Sequence, residues 1–225
     1  MKFRPLNGAF CVVYGGENVI IAEQLFGVMD VMCYFYIDDE TRCGFLIDPG
    51  ADAERIFTVI KEKNITIEKI LLTHGHYDHI GAANEIREKL KIPIFMHENG
   101  KYYAENPLWN LSKFMGNEMT LDDVELLKDG SIISLTKNPD FSVKLIAAPG
   151  HTHDGAIYYS EKDGVAFVGD TIFKHGYGRT DFYGGDSVQL LKTLKETVFT
   201  LPPKTVLLSG HSEPTTVSEE KQYFL

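Results

Sequence analysis

Cysteine is scarce in this 225-residue chain: only Cys11, Cys33 and Cys43 occur. Three is an odd number, and their spacing is not that of metal ligands, which argues against a disulfide framework and fits a reducing compartment. Basic residues are also few. Lys plus Arg number 22 against 32 for Asp plus Glu, giving a formal net charge of −10. Sequence-independent phosphate binding rests on clustered Lys and Arg, so nucleic acid is not an expected partner. No apolar run approaches the roughly 18 residues of a membrane span. The start, Met1-Lys2-Phe3-Arg4-Pro5, lacks the apolar stretch of a secretory signal. A cytoplasmic protein with no membrane partner is therefore expected. Repeats, low-complexity tracts and long polar linkers are missing as well, which makes one domain over residues 1–225 the default. What remains, 44% hydrophobic and 24% charged residues, is an ordinary globular composition.

Apolar runs at residues 9–14, 19–23, 31–37 and 43–47 read as strands of a meander, with Tyr14-Gly15-Gly16-Glu17-Asn18 as the turn between the first two. Asp52 can cap a helix whose Ala53, Ile56, Phe57 and Ile60 share one face. The short run Ile70-Leu71-Leu72 follows, then a second helix through Ile80, Ala83, Ile86 and Leu90. Further runs at 131–135, 141–147, 156–159, 165–168 and 206–208, with a helix over 187–198 bearing Val188, Leu191 and Leu194, repeat the theme. Strand and helix alternate, so the class is α/β, and two sheets with helices outside satisfy the pattern. Residues 99–130 have weak periodicity and hold the only tryptophan, Trp109, in a stretch that could cover a site, meet another subunit or simply pack as a loop.

The densest chemistry lies in Thr73-His74-Gly75-His76-Tyr77-Asp78-His79. Imidazoles and carboxylates hold zinc, manganese or iron, and two histidines one residue apart in an extended turn can point at one centre. A blander reading is a polar loop in which Asp78 caps the next helix, and the two readings are compatible. Three more His or Asp residues follow apolar runs: His151 after Ala148-Pro149-Gly150, Asp170 after Gly169, and His211 after Ser209-Gly210. Taken singly each is an ordinary turn residue. Together they place four strand ends at one edge, where α/β folds carry their sites, and the adjoining glycines allow close backbone approach. His97, His153 and His175 read first as ordinary hydrogen-bonded histidines, although His153, two residues beyond His151, is also a candidate to support a metal ligand or to touch substrate.

The His-x-His-x-Asp-His turn, Pro149-Gly150-His151-Thr152, Gly169-Asp170-Thr171 and Gly210-His211, in that order, resemble the metallo-β-lactamase fold superfamily, and within it the glyoxalase II-like hydrolases. The resemblance implies a four-layer αββα sandwich of two mixed sheets with helices on the outer faces. It implies one metal on His74, His76, His151 and Asp170 and a second on Asp78, His79, Asp170 and His211, with Asp170 bridging. The cofactors would be two divalent ions, zinc first, with iron or manganese as alternatives. A water between two such cations becomes hydroxide near neutral pH. Asp78 would orient it as the catalytic residue, and the reaction would be hydrolysis of a small-molecule thioester or other activated acyl bond. A monomer or homodimer would suffice.

Several departures refine the expectation. Full glyoxalase II enzymes carry a further helical region after the last histidine, whereas 225 − 211 = 14 residues follow His211, so the short single-domain type is expected and glutathione specificity is not implied. The segment Gly176-Tyr177-Gly178-Arg179-Thr180-Asp181-Phe182 resembles one in persulfide dioxygenases, with Tyr177 in place of cysteine. Tyr177 and Arg179 are candidate substrate contacts, Arg179 either meeting a substrate carboxylate or pairing with Asp181 or Asp186. The alternative function is that of a mononuclear iron persulfide dioxygenase using His74, His151 and Asp170.

Overall fold

The computed structural model describes residues 18–224 in full and, before them, the backbone of Lys2–Leu6 and Ala9–Val13. Apart from Asn18, the turn expected over residues 14–18 lies outside the described residues. The first sheet is built in sequence order from β1 (Lys2–Leu6), β2 (Ala9–Val13), β3 (Asn18–Leu25), β4 (Val31–Asp38), β5 (Cys43–Ile47), β6 (Thr66–Leu71), β7 (Ile94–His97) and β8 (Val124–Leu127). Neighbours are antiparallel up to β5, as a meander demands, and parallel from β5 to β8. Parallel pairing needs crossovers. These are supplied by α1 (Ala53–Lys63), by α2 (Tyr77–Ile80) with α3 (Ala83–Leu90), and by the segment containing α4 (Lys101–Glu105).

The second sheet contains β9 (Ile132–Ser134), β10 (Ser142–Ala147), β11 (Ala156–Ser160), β12 (Val165–Gly169), β13 (Val206–Ser209) and β14 (Thr215–Thr216), in the spatial order β14-β13-β12-β11-β10-β9. The pair β12–β13 is parallel, bridged by α5 (Ser187–Glu196), and α6 (Val217–Phe224) follows β14. Alternation along each strand divides the core. Ala156, Tyr158, Phe167, Val206 and Leu208 meet Ile20, Tyr34, Tyr36, Phe45 and Ile47 between the sheets. The intervening Ile157, Ala166, Val168 and Leu207 join Leu194 and Val198 on the far side. The outer face of the first sheet packs Phe35, Leu46 and Ile70 against Ile56 of α1 and Ile86 of α3. The layers are therefore helix, sheet, sheet, helix. Among the described residues no helix is long and apolar enough to cross a membrane.

Two helices differ from expectation. The helix expected through Ile80 to Leu90 is split, because the chain at Gly81 runs so close to the Gly50 carbonyl that a side chain would strike it, and the Ala82 N–H donates to Pro49 O. On α5 the expected face of Val188, Leu191 and Leu194 is wrong in two of three positions. Val188 is 77% and Leu191 52% exposed, while Leu190, Thr193 and Leu194 are buried. The reason is the docking of the helix on the 149–150 turn. Asp186 N–H donates to Gly150 O, Thr193 Oγ1 donates to Pro149 O, and Gly150, at φ 138, abuts the Leu190 backbone.

Candidate metal centre

The direction of the strands gathers the site. Antiparallel pairing of β11 with both β10 and β12 makes β10 and β12 run the same way, and β13 runs with β12. Their C-terminal ends therefore share one edge, and His151, Asp170 and His211 follow those ends by a few residues. From the first sheet, β6 leads into the turn with His74 and His76, and Asp78 and His79 lie in the first turn of α2. The glycines beside them are there for space: a Cβ on Gly210 would lie 2.5 Å from both Asp170 Oδ1 and His79 Cε1.

Seven side chains converge. His76 Nδ1 lies 3.2 Å from His74 Nε2 and 3.0 Å from His151 Nε2. His211 Nε2 lies 3.3 Å from His79 Nε2, 3.0 Å from Asp78 Oδ2 and 3.4 Å from Asp170 Oδ2. Asp170 stands between the groups, with Oδ1 3.4 Å from His79 Nε2 and Oδ2 3.7 Å from His151 Nε2. Three sets each bring their ligand atoms within 4.8 Å of one another and could hold a metal ion: His74, His76 and His151; His74, His79 and Asp170; Asp78, His79 and His211.

The outward nitrogens fix the chemistry of the inward ones. His79 Nδ1 faces Asp48 Oδ2 at 2.9 Å, His151 Nδ1 faces Arg179 O at 2.6 Å and His211 Nδ1 faces Asp30 O at 2.7 Å. These partners accept only, so each Nδ1 carries the proton and, in the neutral ring, each Nε2 presents a lone pair to the centre. Two such lone pairs face each other between His79 and His211, and the buried Asp170 Oδ1 has no hydrogen-bond partner. A positive charge satisfies that arrangement, either a bound cation or, without one, a proton on His79 or His211 shared with the carboxylates. Tetrahedral zinc with nitrogen ligands at about 2.0–2.1 Å has ligand–ligand edges of roughly 3.3 Å, close to the separations found here.

Charge is distributed unevenly across the cluster. Burial, then the surrounding imidazoles, holds His74 well below its ordinary value, and burial with His151 pulls His76 down to about 3. Burial also lowers His151, against the pull of Asp170. For His79 burial works in the same direction, but the carboxylates of Asp170, Asp78 and Asp48 outweigh it and hold the ring well above its usual range. His211 is likewise raised: burial opposes, while the Asp78 hydrogen bond and Asp170 prevail. Burial would raise Asp78 and Asp170, yet His79 and its neighbours keep both below the ordinary carboxylate value.

A cavity of about 440 Å³ opens onto this centre, lined by His76, Asp78, His151, Asp170 and His211 and by Arg179 among others. Arg179 reaches it, but its guanidinium is held by Asp181 through two contacts of 2.6 Å and lies 4.1 Å over the Phe182 ring. Asp186 is occupied elsewhere, capping α5. Tyr177 is not among the lining residues, because its ring leans on Phe224 of α6. Nor is His153, which is exposed and whose N–H donates to Tyr103 Oη. His97 is buried and accepts from Asn99 N–H, and His175 stacks on Tyr223. Trp109 packs between Tyr102 and Tyr183.

Sequence reasoning missed Asp48, which holds both Thr73 and His79. A signal was present: Asp48 directly follows the buried strand β5, the same placement that singled out Asp170. The hydrophobic wall residues Val28, Met29, Leu111, Met115, Phe173 and Phe182 carried no comparable mark.

Comparison with known proteins agrees with this geometry. The chain is 38% identical over 196 residues to the probable metallo-hydrolase YqgX of Bacillus subtilis, covering 87% of this chain and 91% of that one. It is 34% identical over 195 residues to the hydroxyacylglutathione hydrolase GloC of Haemophilus influenzae, covering 84% and 89%. Among solved structures it is similar to the BLEG-1 B3 metallo-beta-lactamase, with a TM-score of 0.83, 32% identity and coverage of 90% and 96%. It is also similar to TTHA1623 in a di-iron-bound form, with a TM-score of 0.78, 27% identity and coverage of 88% and 96%. Residues 26–211 match the family model for these folds, and the chain belongs to the metallo-beta-lactamase superfamily.

Proposed function

We propose that this protein is a single-domain hydrolase of an activated acyl bond, a thioester first of all, acting on a small-molecule substrate with two divalent cations. His74, His76, His151 and Asp170 would hold one cation and Asp78, His79, Asp170 and His211 the other, with zinc the first choice. The observation that carries this reading is the set of inward Nε2 lone pairs converging on a carboxylate oxygen without a partner. Cations bound there would supply a hydroxide nucleophile near neutral pH and would polarise the acyl oxygen. The chain's own residues do the rest. Asp48, Asp30 O and Arg179 O fix the tautomers, and Asp78, 3.0 Å from His211, is placed to orient an attacking water.

The likeness to GloC supports a thioester substrate, and the di-iron form of TTHA1623 supports iron as the second candidate metal. An oxygenase using only His74, His151 and Asp170 would leave Asp78, His79 and His211 without a cation, although their ligand atoms lie within 4.8 Å of one another. The test is elemental analysis of protein purified without added metal, beside hydrolysis of S-lactoylglutathione, simple thioesters and a lactam, with oxygen uptake measured on glutathione persulfide. Close to two metals per chain with hydrolysis that Asp78→Ala abolishes is expected. About one iron per chain with oxygen uptake and no hydrolysis overturns the reading.

A further inference from the structure

Resting on that hydrolase reading, we infer that the cavity beside the metal centre is an acyl pocket for a medium-length straight-chain or aromatic acyl group, which makes apolar acyl thioesters, rather than hydroxyacyl-glutathione, the substrate class. Around the five ligands that line it stand Val28, Met29, Leu111, Met115, Phe173 and Phe182. Binding sites for apolar groups have this composition, apolar walls with a few convergent polar atoms at one end.

The wall is built into the fold. Asn110, fully buried, accepts Tyr77 N–H on its carbonyl at 2.7 Å, donates its amide to Tyr103 O and Met119 O, and accepts Ser112 N–H on Oδ1. One residue thereby ties the segment 110–115 to the metal-binding turn. Leu111, next in the chain, holds φ 69, a left-handed conformation that a leucine adopts only when its surroundings impose it. It is nonetheless 6% exposed, and it lines the cavity. Strained backbone here serves to present an apolar side chain to the centre.

Charge points the same way. Glutathione carries two carboxylates, and Arg179, already paired with Asp181, is the only Lys or Arg among the described residues lining the cavity. Lys174, on the far side of His211, is paired with Glu213 at 2.9 Å. The net charge of −10 adds no attraction for an anionic thiol. Two of the apolar lining residues, Val28 and Met29, are exposed as well, and exposed apolar surface beside a cavity marks a binding region.

The test uses thioesters of the small neutral thiol N-acetylcysteamine with acetyl, butyryl and hexanoyl groups, compared with S-lactoylglutathione on the zinc-loaded protein. Burial of each added CH₂ predicts a rise of about fourfold in kcat/KM, read mainly in KM. Met115→Ser should cost hexanoyl turnover several-fold more than acetyl turnover. Equal losses on both, a flat chain-length series, or a preference for S-lactoylglutathione over the hexanoyl thioester overturns the inference while leaving the hydrolase reading intact. If no thioester is hydrolysed, the hydrolase reading fails, and calorimetric binding of the inert S-alkyl thioethers still decides the pocket: affinity rising with chain length supports it, and affinity indifferent to length overturns it.

Discussion

Asp48→Asn tests the tautomer argument at a single atom. Asp48 is 2% exposed and its two oxygens serve three donors: Oδ1 accepts Thr73 N–H at 2.8 Å, and Oδ2 accepts the Thr73 hydroxyl at 2.6 Å and His79 Nδ1 at 2.9 Å. Asparagine keeps an acceptor for Thr73 N–H but places an NH₂ group where Oδ2 stood. The Thr73 hydroxyl can rotate and accept from it. His79 Nδ1–H cannot, so the ring either opposes donor to donor or shifts its proton to Nε2, the atom that faces His211 and Asp170. A buried donor left unsatisfied costs about 1–3 kcal/mol, and loss of such an outer hydrogen bond weakens metal affinity roughly 10–100-fold. The cation on Asp78, His79, Asp170 and His211 should weaken by that factor, while the His74, His76 and His151 set keeps its own. Titration in zinc buffers with elemental analysis should show the variant at one metal per chain where the parent holds two. Retention of both metals at parental free zinc, or their loss together, refutes the reasoning.

Acidification should separate the two sites in the unaltered protein. His79 and His211 are raised and so take up protons first as pH falls, whereas His74, His76 and His151 are depressed and stay free to lower pH. Metal content against pH should step from two to one before reaching zero, and a single concerted loss counts against the assignment. In the metal-free protein Asp154, fully buried, is pushed up to about 7 by desolvation. The folded state then binds a proton that the unfolded state, titrating near 3.8, has released, so stability is complete at low pH and declines as pH rises from about 4 through about 7. Asp154→Asn should stabilise by roughly 2–4 kcal/mol at pH 8 and by little at pH 4. Urea unfolding at both values checks it, and equal effects at the two pH values would sink the idea. Gly210→Ala drives a methyl group to 2.5 Å from Asp170 Oδ1 and His79 Cε1. Activity should fall at least about a hundredfold for a stability cost of about 1–3 kcal/mol, and parental metal content with full activity is the contrary result.

How much of this was legible in the sequence depended on whether a residue type is rare in its setting. Clustered histidines and strand-end aspartates are, so all seven converging side chains were visible, and the alternating runs gave both sheets and the outer helices. Edge and short elements were not. In β8, Val-Glu-Leu-Leu, the central Glu125 and Leu126 are exposed, so the strand has no buried face to mark it. In β7 four consecutive buried residues suit a helix segment equally well. The buried face of α5 was misjudged because docking on the 149–150 turn, a contact distant in sequence, rotates Val188 and Leu191 to solvent. Leucine, methionine and phenylalanine are too common in cores for the cavity wall to announce itself.

The hydrogen bonds that aim the ligands divide by kind, and the division has a consequence. His151 and His211 are fixed by main-chain carbonyls, of Arg179 and Asp30. No substitution at those positions deletes a carbonyl, so the aim of both rings depends on loop placement and survives most changes of side chain. The loop with Arg179 is held in turn by Gly178 N–H to the main-chain carbonyl of Asp170, which couples the aim of His151 to the placement of the residue that stands between the two groups. His79 relies on a side chain, Asp48, and His74 Nδ1 faces another, the Thr73 hydroxyl, which Asp48 itself holds at the start of the turn carrying His74 and His76. Sensitivity to single substitutions among the outer contacts should therefore concentrate at Asp48. The centre is robust where its geometry is drawn by backbone and vulnerable at the one carboxylate that joins the two metal-binding halves.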